Sequence, residues 1–250
     1  MELTERQTGI LNNIIKNYIR SVEPVSSEFL EKKCDFDVCS ATIRNEMQKL
    51  TDAGFLSQPH TSAGRVPTDK GYRFFVDSLL QEHSLKEDIF ESDWFNGEMD
   101  DTIKFLQSVT KNLALVSSNF SLGYLSDKKI FWKEGWEEII KEPEFKERKL
   151  INDFIAMVKS FEEEIADFDL DADIKVYIGK ENPLPKAREF SAIVTKCHFP
   201  VGEENKFSSS PFAAARVKEN GILAIFGLKR MDYDKSICSL NSLIHLLDKV

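Results

Sequence analysis

Cysteine and histidine are scarce in this chain of 250 residues, four of each. Cys34, Cys39, Cys197 and Cys238 contain no Cys-x-x-Cys pair, and the spacing of Cys34 and Cys39 is wider than most zinc knuckles. The histidines (His60, His83, His198, His245) are scattered. No metal site is expected, and the thiols are expected to be reduced and mostly buried. The chain has no apolar run approaching the roughly 18 residues of a membrane span. Its start has no basic segment followed by an apolar one, as a secretory signal would. A soluble, cytoplasmic protein with no membrane partner is the expectation. Positive charge is also in deficit: 33 Lys and Arg stand against 42 Asp and Glu, a net of −9. That balance argues against indiscriminate binding to nucleic acid. There is no Gly-rich phosphate loop, no nucleophile–base signature and no His/Asp/Glu cluster, so neither an enzyme nor a cofactor is expected. His198 does follow Cys197, but adjacent residues of a strand point to opposite faces.

What is present begins with an uneven charge distribution. Residues 1–80 carry 10 Lys and Arg against 11 Asp and Glu, so most of the acidity lies beyond them. Along this near-neutral segment the apolar positions Ile10, Leu11, Ile14, Ile15, Tyr18 and Ile19 recur at helical spacing and predict a helix over 4–20 with Thr4 as N-cap. Pro24 ends it. Ser26 caps a short second helix to about 33, and a third runs over 40–52, capped by Ser40 or Cys39 and stopped by Gly54. Residues 55–67, with the small residues Thr61, Ser62, Ala63 and Gly64 at the tip, predict a hairpin. Thr68 caps a fourth helix over 69–82.

Residues 83–102 are acidic and poorly patterned and read as a linker. Beyond it the chain changes type. A helix over 101–112 precedes strand-like runs at 113–117, 129–133, 173–178, 191–196 and 221–227. A long amphipathic helix is expected over 145–168 and a last one over 232–248. Helices and strands without regular βαβ alternation predict an α+β fold around an antiparallel sheet for 103–250.

Three helices and a hairpin are the parts of a winged helix-turn-helix, expected over 1–82. A major groove about 12 Å wide admits a helix whose amino end meets base edges. On the third helix Arg44 suits guanine or phosphate, Asn45 suits adenine, Ala41 and Thr42 suit a thymine methyl, and Gln48 lies on the same face. Ser40 offers a hydroxyl or backbone amide to phosphate. In the hairpin His60, Thr61, Ser62, Gly64 and Arg65 combine hydroxyls, accessible amides and a guanidinium suited to phosphate or minor-groove contact. The expected partner is double-stranded DNA.

The stretch Ser40-Ala41-Thr42-Ile43-Arg44-Asn45-Glu46-Met47 and the run from Gln58 through Arg65-Val66-Pro67-Thr68 to Arg73 closely resemble the heat-inducible transcription repressor family HrcA. Leu3 to Gln7, Glu23-Pro24-Val25, Val176 to Asn182 and Gly227 to Tyr233 are similar to it as well. The resemblance implies a GAF-like second domain, repression of chaperone genes through an inverted-repeat operator of the CIRCE type, and support by the chaperonin GroEL with GroES. Phenylalanines between 74 and 131, if exposed, would suit a chaperonin client. Family members carry a dimerisation domain inserted in the GAF-like domain. The short interval between Leu125 and Phe145 implies that this insertion is absent or reduced. A two-fold operator still implies a homodimer, with Leu150, Phe154, Ile155, Val158 and Phe161, or Leu240, Leu243 and Leu247, as candidate contact stripes. The alternative is a small-molecule sensor in which Arg216, Lys229 and Arg230 meet an anion.

Overall fold

The computed structural model describes residues 3–34, 36, 38–82, 90, 101–165, 174–200 and 218–249. The chain divides into two compact units, Met1–Gln81 with Lys229–Met231, and Glu82–Leu228 with Asp232–Val250. Most of the stretch expected to be a linker lies outside the described residues.

In the first unit, helix α1 (Glu5–Ser21) is started by a capping box in which the Thr4 hydroxyl accepts from the Gln7 amide and the Gln7 side chain accepts from that of Thr4. Its buried stripe is Ile10, Leu11, Ile14 and Ile15. Ser26 caps α2 (Ser27–Lys33), and Cys39 occupies the N-cap position of α3 (Ser40–Asp52) without a side-chain cap bond to the backbone. Helix α3 buries Ile43, Met47 and Leu50 and leaves Ala41, Arg44, Asn45 and Gln48 exposed. Gly54, at φ 81°, turns the chain into a short hairpin. Strand β1 (Leu56–Ser57) pairs antiparallel with β2 (Val66–Pro67) in the register Leu56 to Pro67. Val25, between α1 and α2, adds a third rung by exchanging two backbone hydrogen bonds with Arg65, at 2.9 and 2.8 Å. Helix α4 (Asp69–Glu82) follows, with the Thr68 hydroxyl accepting from the Gly71 amide.

The second unit is α+β. Among the described residues its five strands are β3 (Phe120–Leu125), β4 (Ile130–Glu134), β5 (Lys175–Ile178), β6 (Phe190–Pro200) and β7 (Lys218–Leu228). They form one antiparallel sheet in the order β4-β3-β7-β6-β5. Alternate residues of β3 divide between two layers. Phe120, Leu122 and Tyr124 face a core completed by Phe154, Met157, Val158 and Phe161 of α7 (Arg148–Glu164) and by Ile139 of α6 (Trp136–Ile140). Phe154 lies at the centre of this core, with ring centroids 5.5 Å from Phe120, 5.5 Å from Phe145 and 5.2 Å from Phe190. On the other face α5 (Thr102–Ser117) lies against Gly123, while Tyr233, which opens α8 (Tyr233–Lys249), shares a 2.7 Å hydrogen bond with Ser191. Among the described residues, no helix is long and apolar enough to cross a membrane.

Several expectations are corrected. The run 113–117 is not a strand but the last turns of α5, and the strand lies just after it, at Phe120–Leu125. The amphipathic helix expected over 145–168 is split into a 3-10 turn at Pro143–Lys146 and α7. Neither candidate dimer stripe is available intact. Phe154, Val158 and Phe161 of α7 and Leu240, Leu243 and Leu247 of α8 are buried within their own unit, leaving Ile155 exposed. Of the phenylalanines between 74 and 131, Phe75, Phe90, Phe105 and Phe120 are buried, Phe74 and Phe131 are half-buried, and Phe95 lies outside the described residues. Only Cys197 of the four thiols is buried, and Cys39 is exposed.

Candidate nucleic-acid interface

The residues proposed from sequence to meet DNA come from two elements of the first unit, and the structure divides them by how they are held. Arg44 and Asn45, one turn into α3, are exposed, and neither has a hydrogen bond or ion pair among the described residues. Their neighbour Glu46 does not compete for Arg44. Its carboxylate accepts from Lys49 Nζ and Gln7 Nε2, both at 2.9 Å, which anchors α3 to α1. The Lys49 and Gln7 hydrogen bonds hold the Glu46 carboxyl below the usual glutamate range against a smaller opposing effect of burial. Glu46 is thereby occupied elsewhere, while Glu28 lines the same cleft as Arg44.

Ser40 is placed otherwise than expected. Its backbone amide donates to Glu31 Oε1 at 2.9 Å and its hydroxyl to Ser27 Oγ at 3.1 Å, so both groups are taken up in joining α3 to α2. Thr42 is half-buried, with its hydroxyl 3.5 Å from Cys39 Sγ. That contact, together with backbone amides of the first turn, draws the Cys39 thiol below its ordinary range.

The hairpin tip presents His60, Thr61 and Ser62, all exposed. Gln58 shapes it from within, its amide nitrogen donating to the carbonyls of Thr61 and Ala63 at 2.9 and 3.0 Å. Gly64 is a packing residue. A Cβ there would stand 2.3 Å from the Val25 carbonyl oxygen and 2.7 Å from the Pro24 carbonyl carbon. Only glycine lets the hairpin lie against the α1–α2 connection, which gives a physical reason for Pro24-Val25 and Gly64-Arg65 to go together in one sequence.

Arg65, expected to suit phosphate or minor-groove contact, is 9% exposed. Its Nε donates to Thr51 Oγ1 at 3.0 Å and its Nη2 to Gln48 Oε1 at 2.9 Å. Gln48, though exposed, is therefore held, and its amide nitrogen donates in turn to Asp52 Oδ1 at 2.8 Å. Ser26, Arg44, Thr61, Ser62, Gly64 and Arg65 are among the residues that line an open cleft between hairpin and α3. Sequence reasoning missed Thr51 and Glu31, which act through contacts between elements, and Asp52 and Gln58, which act within α3 and within the hairpin. Among the described residues, no group of three or more His, Cys, Asp or Glu is placed to hold a metal. Of the cations considered for a small anion, Arg216 lies outside the described residues, and Lys229 and Arg230 belong to the first unit rather than to that of the sheet.

Comparison with known proteins identifies the family. Residues 73–237 match the family described as HrcA protein C terminal domain. A heat-inducible transcription repressor HrcA of Brevibacillus brevis is 59% identical over 85 residues, 34% of this chain and 25% of that protein. Those of Thermodesulfovibrio yellowstonii and Acetivibrio thermocellus are 46% identical over 123 residues and 42% over 134, covering 49% and 52% of this chain and 32% and 37% of theirs. The matches thus span about a quarter to a third of the length of these curated relatives. The crystal structure of a hypothetical protein at 2.2 Å resolution superposes with a TM-score of 0.77 at 21% identity over 99% of both chains, a likeness of fold. With a family match extending over more than half of its residues, the chain belongs to the HrcA family.

Proposed function

We propose that residues 1–82 are a winged helix-turn-helix that reads duplex DNA, that 83–102 link it to a GAF-like domain over 103–250, and that the chain is a transcriptional repressor of heat-shock genes. The observation that carries the reading is the exposed, uncommitted pair Arg44 and Asn45 at the amino end of α3, with Arg44 lining one cleft with the exposed Thr61 and Ser62. Arg and Asn are the side chains that pair bidentately with guanine and adenine. A helix end presenting both, flanked by a hairpin bearing hydroxyls, suits base contacts from one element and backbone contacts from the other. The names of the relatives supply the physiological setting.

The proposed target is an inverted repeat of the CIRCE type, bound by a homodimer. One reader of near-neutral charge has few cations with which to release counterions, so affinity depends on joining two readers. The stripes buried on the sheet are unsuited to this pairing, and exposed Ile140 and Ile155 are the better candidates. Chaperonin dependence would act on the fraction of competent repressor. Fluorescence anisotropy of the full chain with an inverted-repeat duplex, a single half-site and a scrambled duplex tests the reading, with sedimentation of the same complexes. Specific binding with two chains per repeat is expected, and equal affinity for all three duplexes refutes it.

A further inference from the structure

We propose that Arg65 and Asp52 act as positioning residues that clamp the Gln48 side-chain amide in one orientation for reading a base pair, without the arginine itself touching DNA. This rests on the DNA-binding reading above and deepens it.

Gln48 follows Arg44 by one helical turn and is exposed on the same face of α3. A glutamine amide has two acceptor lone pairs and two N–H donors. Here its oxygen accepts from the Arg65 guanidinium at 2.9 Å, and its nitrogen donates to the Asp52 carboxylate at 2.8 Å. Each partner uses one site. One acceptor and one donor remain, the pair that a bidentate contact with adenine requires.

The charges of the partners fix which way round the amide lies. Turning it over would set its N–H groups against a guanidinium, which only donates, and its oxygen against a carboxylate, which only accepts. Both contacts would become repulsive. An amide held with a fixed order of acceptor and donor distinguishes an A·T pair from the reversed T·A pair at one position.

The clamp is well founded on the arginine side. Arg65 is buried, its Nε is held by Thr51, and its backbone is joined to Val25 by two hydrogen bonds. The guanidinium has little freedom to leave Gln48 for a phosphate. The hairpin thus influences base preference through α3.

The test uses the full chain. A duplex preferred by the wild type is selected from a randomised pool, and affinities are then measured for variants in which single base pairs are reversed. Gln48→Ala, Asp52→Ala and Arg65→Ala are expected to flatten discrimination at the same single position, by about tenfold in the affinity ratio, within the range for one bidentate pair. The Asp52→Ala, Gln48→Ala double variant should lose no more at that position than Gln48→Ala alone. Because Arg65→Ala also removes a buried brace, Asp52→Ala on the exposed side carries the proposal independently. Reading the ratio between duplexes cancels the general gain in affinity from deleting an acid. Unchanged discrimination in Asp52→Ala, with a wild type that does select a sequence, overturns the clamp alone. A salt dependence made shallower by about one unit in Arg65→Ala also overturns it, by placing the guanidinium on a phosphate. A wild type that selects no sequence overturns the DNA-reading proposal itself.

Discussion

Replacing Gly64 by alanine sets one methyl group against the backbone of the α1–α2 connection. The added Cβ would stand 2.3 Å from the Val25 carbonyl oxygen and 2.4 Å from its carbon, where ordinary contact begins near 3.4 Å. The hairpin must therefore retreat by roughly 1 Å, since the atoms it meets are backbone and have no rotamer to change. The Val25–Arg65 hydrogen bonds, now 2.9 and 2.8 Å, would open to about 3.8 Å, beyond useful length. Two bonds at roughly 0.5–1.5 kcal/mol each, with overpacking strain of about 1–3 kcal/mol, are offset by less than about 1 kcal/mol from the stiffer unfolded chain. With each term at mid-range the net cost is about 3 kcal/mol. For a unit of this size that lowers Tm by roughly 10–25 °C. Circular dichroism melting of the full chain measures the shift, and amide hydrogen exchange places it, since the Val25 and Arg65 amides should lose protection first. A Tm within about 3 °C of wild type with both amides still protected would refute the packing role of Gly64.

Other outcomes follow from the same unit. Arg44→Ala and Asn45→Ala should each weaken binding to the selected duplex by about 1–3 kcal/mol with unchanged melting, checked by anisotropy and circular dichroism. Glu46, held below its usual pKa by Lys49 and Gln7, contributes stability that is present above the unfolded value of about 4.3 and is lost as pH falls through its lower folded value. Glu46→Gln should therefore make the acid side of the pH–stability curve flatter, as read by denaturant titration at each pH. Iodoacetamide should modify exposed Cys39 well before buried Cys197, whose thiol burial pushes far up, and Thr42→Val should slow the Cys39 reaction, as followed by mass spectrometry.

The elements of the first unit were legible because their signals are local. Thr4, Ser26 and Gly54 mark helix ends, and the stripes of α1 and α3 lie within single helices. The second unit misled at 113–117 as well as at the split helix. Residues 113–117 form a continuous apolar run that suits strand or helix equally. What decides for helix is the N-cap Asp101, whose carboxylate accepts from the Ile103 and Lys104 amides, and the buried series Phe105, Leu106, Val109 and Leu113. The true strand, Phe120–Leu125, alternates large apolar residues with Ser121 and Gly123, and both its faces are covered. Within the candidate site, Arg44 and Asn45 were legible from their place on the helix. The fate of Arg65 was not, since Gln48 and Thr51 lie 17 and 14 residues away and meet it only once the hairpin is in register.

The pairing of β3 with β7 also constrains how the protein comes into being. Phe120 lies opposite Phe226, about a hundred residues later in the chain. At roughly 5–20 residues per second, a ribosome needs about 5–20 s to make the intervening segment. Throughout that interval the β3–β4 hairpin has an open edge of unpaired amides and carbonyls beside a set of apolar side chains awaiting their cover. Residues 1–81, nearly all of the first unit, are complete before β3 is made. Each new molecule therefore passes through a stage in which its proposed DNA reader is finished while its sheet offers an incomplete edge to any folding helper within reach.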